Sequence, residues 1–139
     1  MQIDARHKSV VFVLASCLML AGSQALSGER DRVIAEGADD YKAYCSACHG
    51  PKGQGKGEMA PILVKPATDL TQLADRRGRF PFWRVYNIIA GNEPVAGHDT
   101  FQMPQFSTRL RKDDHKPGYH PAHIRILLLT HYIDSLQRQ

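Results

Sequence analysis

The chain has 139 residues, 42% hydrophobic and 23% charged, and 18 Lys and Arg against 14 Asp and Glu give a formal net charge of +4. That length suits a single folded domain behind a short leader. The basic excess is too small to point to nucleic acid, and no internal repeat divides the chain.

The first segment reads as a secretory signal. Arg6, His7 and Lys8 precede an apolar run from Val10 to Ala21, and Ser23-Gln24-Ala25 offers small residues at signal-peptidase spacing. The run is shorter than the roughly 20 residues that span a bilayer. This predicts a signal peptide over 1–25, a mature domain over 26–139 and a periplasmic destination. Leu14-Ala15-Ser16-Cys17 resembles a lipobox, but apolar residues continue past Cys17, whereas a lipidated cysteine usually ends such a run. Membrane attachment is expected only if Cys17 is lipidated or the signal stays uncleaved.

A helix is predicted from Arg32 to Tyr44, with Gly37, Tyr41 and Cys45 at i, i+4, i+8 on one face. Two readings of Gly37 stand: close approach by another helix, or a helix start capped by Asp39 or Asp40.

The most specific pattern follows, Cys45-Ser46-Ala47-Cys48-His49. A Cys-x-x-Cys-His run is a c-type haem attachment site. Two thiols two residues apart reach the two vinyl groups on one porphyrin edge, and the next residue brings an imidazole to the iron. A structural zinc site needs a second ligand pair, which the chain lacks at the required spacing. A thioredoxin-like pair needs a βαβ setting, which the flanks do not provide. A plain disulfide leaves His49 unexplained. Only one such run occurs, so one haem is expected. Thioether formation outside the bacterial cytoplasm agrees with the export signal.

Gly50 to Gly57 is too glycine-rich for regular structure and reads as backbone running close to a flat cofactor, or else as a flexible surface loop. Pro61 stands twelve positions after His49, and its carbonyl is expected to accept the His49 Nδ1–H, fixing the tautomer. Pro66 to Thr71 reads as a turn with a helix cap. Arg76, Arg77 and Arg79 either meet haem propionates or form a solvated face. A short helix is predicted from Phe82 to Ala90, opened by Pro81 and closed by Gly91, with Phe82, Val85, Tyr86 and Ile89 as its apolar stripe. Trp83 either lines the haem crevice or packs in the core.

A long loop is expected from Gly91 to His120, then a last helix from Pro121 to about Leu136, rich in apolar residues and interrupted by Arg125, His131 and Asp134. No alternating strand pattern occurs, so the domain is predicted to be all-α. A thioether is the natural second axial ligand for a His-ligated electron-transfer haem, because it favours Fe(II). Met103, stiffened by Pro104 and carried on the long loop, is the expected ligand. Met59, ten residues from His49, is poorly placed to reach the opposite ring face. His98 is the next candidate, and His115, His120 and His123 are expected to be exposed titrating groups.

Together these residues resemble a class I cytochrome c over most of the mature chain, from about Gly37 to Leu136. The resemblance implies three to four helices around one covalently bound haem c, attached at Cys45 and Cys48. It implies His49 and Met103 as iron ligands and Pro61 as the carbonyl behind the histidine. It also implies a C-terminal helix whose Leu129 and Tyr132 meet Gly37. The charged stretch Arg109 to His120 departs from a minimal member. Class II cytochromes are disfavoured, since they resemble four-helix bundles with the motif near the C-terminus.

The implied function is outer-sphere transfer of single electrons, without catalysis, by a free carrier or a cytochrome subunit. Its expected partners are redox proteins: a membrane complex, a dehydrogenase, or a terminal oxidase or reductase. The alternative is a haem-based gas sensor or small haem enzyme, which needs a displaceable sixth ligand.

Overall fold

A computed structural model describes residues 28–93, 106–112 and 120–137. Residues 1–25, expected from sequence to be a signal peptide, lie outside the described residues, Cys17 among them. The chain divides into two units, Met1–Arg32 and Val33–Gln139. In the first, residues 28–32 are helical.

In the second, helix α1 covers 33–44. It is followed by α2 (Ser46–His49), two single 3₁₀ turns (Ala60–Ile62 and Leu70–Gln72), α3 (Phe82–Ala90), α4 (Phe106–Arg111) and α5 (Ala122–Ser135). Among the described residues there is no strand. The expected all-α class holds, with α2 and α4 added to the helices read from sequence.

The core forms where α1, α3 and α4 meet α5. Ala122, Ile126, Leu129 and Ile133 recur at helical spacing on α5 and are all buried. Val85 and Ile89, one turn apart on α3, are buried too, and α3 packs against α5. Gly91 ends α3 in the left-handed region, φ 81°, as Pro81 and Gly91 predicted for its two ends.

Gly37 proves to be a crossing point, not a helix start. A Cβ there would stand 2.2 Å from the Leu128 carbonyl oxygen and 2.9 Å from the Tyr132 Cβ. Only glycine admits that approach. One turn on, Tyr41 is fully buried, its ring 5.0 Å from that of Tyr132. The residues that meet Gly37 are therefore the Leu128 backbone and Tyr132, while Leu129 fills the core.

Two features go beyond the sequence reading. The Gly91–His120 stretch is not all loop, because α4 interrupts it and seats Leu110 with no exposed surface against α3 and α5. Arg125, a polar interruption of the apolar α5 pattern, is buried rather than left on the surface. It is 4% exposed and pairs with the Asp40 carboxylate of α1, through Nε at 2.9 Å and through Nη2 to the second oxygen. The guanidinium also lies 5.8 Å from the Tyr44 ring centroid. A planar fork meets a planar acceptor, so both charges are satisfied where water is scarce.

Candidate haem site

The motif is placed by the end of α1. The Cys45 N–H still donates to the Tyr41 carbonyl, at 2.9 Å, and the His49 N–H donates to the Cys45 carbonyl at the same distance. Cys45 and His49 are thus set one helical turn apart. The buried Tyr41 hydroxyl donates to the Gly50 carbonyl at 2.6 Å, tying the residue after His49 back to α1.

The glycine-rich loop coils back beneath α2. The N–H groups of Gly50, Met59, Gly57 and Gly55 donate in turn to the carbonyls of Ser46, Ala47, Cys48 and His49, all between 2.8 and 3.1 Å. These are the four carbonyls that a helix end leaves without partners, and here one loop satisfies all of them. Gly57 makes this possible, since a Cβ there would stand 2.1 Å from the Ala47 oxygen. The loop is thus held by backbone hydrogen bonds against α2.

Cys45 and Cys48 are not disulfide-bonded. Cys45 is buried, and burial, then the nearby Asp40 and Cys48, push its thiol up to about 12. His49 is 5% exposed, and burial lowers its imidazole pKa against the opposing effect of the Thr68 hydrogen bond. Nδ1 lies 2.9 Å from the Thr68 carbonyl oxygen, which can only accept, so Nδ1 carries the proton. The lone pair then sits on Nε2, the nitrogen an iron takes.

This corrects the expected role of Pro61. The carbonyl that meets His49 belongs to Thr68, seven residues further on. Pro61 is held inside the 3₁₀ turn Ala60–Ile62, which packs against α2. Gly55 lies so close to the Ala67 carbonyl that a Cβ would stand 2.3 Å from it, and this approach brings the 67–68 backbone to His49. Asp69 then caps the second 3₁₀ turn by accepting from the Thr71 N–H at 2.9 Å, as the turn-and-cap reading predicted.

The donor set fits a haem. Two thiols and a neutral, oriented imidazole occur within five residues. Ile62 and Val64, in and just after the turn that packs on α2, are 69% and 87% exposed, and Trp83 on α3 is 68% exposed. Large apolar side chains left open in this way are surface that a flat apolar macrocycle would cover. Trp83 therefore does not pack in the core.

Residues 34–117 match the family model for cytochrome c, more than half of the chain. The chain belongs to the cytochrome c family. Its cofactor is haem c, bound covalently through Cys45 and Cys48, and as a member of this family it is a haem-based electron carrier. No curated protein and no solved structure matches the chain.

The remaining sequence candidates separate around this cytochrome's haem motif. Met103, Pro104, His98 and His115 lie outside the described residues. Arg79 is engaged by the Asp75 carboxylate, which accepts from its Nε at 2.9 Å and from the backbone N–H groups of Arg77 and Arg79. Those hydrogen bonds hold the exposed Asp75 carboxyl below its usual range. Arg76, Arg77 and Arg79 are all exposed. His120 and His123 are exposed as well, with His120 Nε2 3.2 Å from the Glu36 carboxylate.

Proposed function

We propose that this cytochrome carries single electrons in the periplasm between redox proteins, with His49 and Met103 as axial ligands of one haem c. The observation that carries the reading is the His49 Nδ1–H donated to the Thr68 carbonyl, directly after the two attachment thiols. Bound haem supplies a one-electron Fe(III)/Fe(II) couple. The chain's own contribution is a buried imidazole held in one tautomer by a backbone acceptor that cannot be lost by titration.

Met103 is preferred to Met59 for a local reason. The Met59 N–H donates to the Ala47 carbonyl at 2.8 Å, which ties Met59 to the helix that carries His49 itself. Two filled axial positions leave no site for substrate, which separates a carrier from a gas sensor or haem enzyme. Residues 1–25 act as the export signal and 26–139 as the cytochrome domain. The partners are a membrane complex, a dehydrogenase, or a terminal oxidase or reductase. Lys52 and Lys56, both exposed on the loop after the motif, steer an acidic partner toward this end. Neither nucleic acid nor membrane is a partner, unless Cys17 is lipidated or the signal is retained.

The test is the oxidised visible spectrum of the wild type, Met103→Ala and Met59→Ala. The wild type shows the weak long-wavelength sulfur–iron band, Met103→Ala loses it and gains carbon monoxide binding, and Met59→Ala keeps the wild-type behaviour. A band lost in Met59→Ala and kept in Met103→Ala would reverse the ligand assignment. A wild type that lacks the band and binds carbon monoxide would favour the sensor or enzyme.

A further inference from the structure

We infer that Gln137, just past the end of α5, is a positioning residue for the haem histidine, acting through the Thr68–Ala74 segment. The inference rests on His49 being an iron ligand.

The Gln137 amide is used on every side. Its Oε1 accepts from the backbone N–H groups of Leu73 and Ala74, at 2.9 and 3.0 Å. Its Nε2 donates to the Leu70 carbonyl at 2.7 Å and to the Ile133 carbonyl at 2.8 Å. Two donors and two acceptor sites are all that a glutamine has, and all are spent. Three of the four bonds grip one short stretch, more than sixty residues away in sequence. The fourth anchors the side chain to α5.

That stretch begins beside the carbonyl on which His49 depends. Thr68 is two residues before Leu70. Between them Asp69 caps the 3₁₀ turn through both the backbone N–H and the hydroxyl of Thr71, and Thr71 is buried. The Leu70 N–H donates to the Gly53 carbonyl at 2.7 Å. The Leu70 peptide is therefore fixed at both its N–H and its C=O, by the haem-motif loop on one side and by Gln137 on the other. With its forward neighbours pinned, the Thr68 carbonyl has little freedom to leave the His49 Nδ1–H. A stronger Nδ1–H···O bond makes the imidazole a better donor and favours Fe(III), so a weaker one raises the reduction potential.

The sign separates positioning from plain structural support. A loosened fold admits water near the haem, which favours the more charged Fe(III) state and lowers the potential. The experiment measures the potential of the haem-loaded wild type, Gln137→Asn and Gln137→Leu by spectroelectrochemical titration. It also follows solvent exchange of the His49 Nδ1 proton by NMR. Both substitutions are neutral, so neither adds a charge of its own. The expected order of potentials is wild type, then Asn, then Leu, rising, with proton exchange about tenfold faster in Gln137→Leu. Gln137→Asn carries the test if the leucine variant fails to fold. A potential that falls or stays constant in the folded variants, with exchange unaltered, overturns the inference while leaving His49 ligation intact. A wild type without histidine-ligated iron would overturn the ligation reading, and this inference with it.

Discussion

His49 donates its Nδ1–H to the backbone carbonyl of Thr68 at 2.9 Å, not to that of Pro61. A backbone acceptor has no pKa and no side chain to substitute, so the bond depends on where the 67–70 segment lies. The glycine-rich loop and the Asp69 cap together set that position. Thr68→Ala should therefore leave the potential and spectrum near those of the wild type. Asp69→Ala should cost about 1 kcal/mol in chemical unfolding through loss of the cap. A large shift on Thr68→Ala would mean that the side chain, not the carbonyl, serves His49.

Gly37 and Tyr132 set the crossing of α1 and α5. Gly37→Ala places a Cβ 2.2 Å from the Leu128 oxygen, so the helices must separate. The expected loss is about 2 kcal/mol or more, read as a lower denaturant midpoint. An unchanged midpoint would show that the crossing is looser than described.

The Asp40–Arg125 pair should show non-additive energetics. Removing one partner strands the other charge in a buried site and should cost about 3–5 kcal/mol, whereas Asp40→Leu with Arg125→Met should cost clearly less than the two single losses combined. Additive losses would contradict a buried, mutually satisfied pair.

Acid should weaken the fold through His49. Burial lowers its folded-state pKa, so the folded chain binds fewer protons than the unfolded one. The stability it favours is complete above the unfolded value of about 6.5 and is lost as pH falls from there toward the lowered folded value. Iron bound at Nε2, as proposed for His49, would act in the same direction, because metal and proton compete for one lone pair. Denaturant midpoints of the haem-loaded protein should fall between pH 7 and pH 5. A midpoint that rises over that range would contradict the buried neutral imidazole.

Much of this was legible in the sequence because the signals are local. Cys45 to His49 is contiguous, Pro81 and Gly91 punctuate α3, and Pro121 opens α5. Gly37 was legible only as a pair of readings, since nothing local says what crosses a glycine. Leu110 was missed because charged neighbours mask a single buried turn, although Phe106 and Leu110 do stand at i, i+4. Asp40 and Arg125 are 85 residues apart, and no spacing rule links them. Thr68 left no signal because its contribution is a carbonyl that every residue has. Counting residues to a proline cannot replace knowing how the intervening loop folds.

The most direct test of the central claim is acid–acetone extraction of protein matured in a host competent for c-type haem attachment, followed by the reduced pyridine haemochrome spectrum. The haem should stay with the polypeptide, with the spectrum of a doubly thioether-linked haem, and Cys45→Ala or Cys48→Ala should impair attachment. Haem released into the solvent by the wild-type protein would contradict the account.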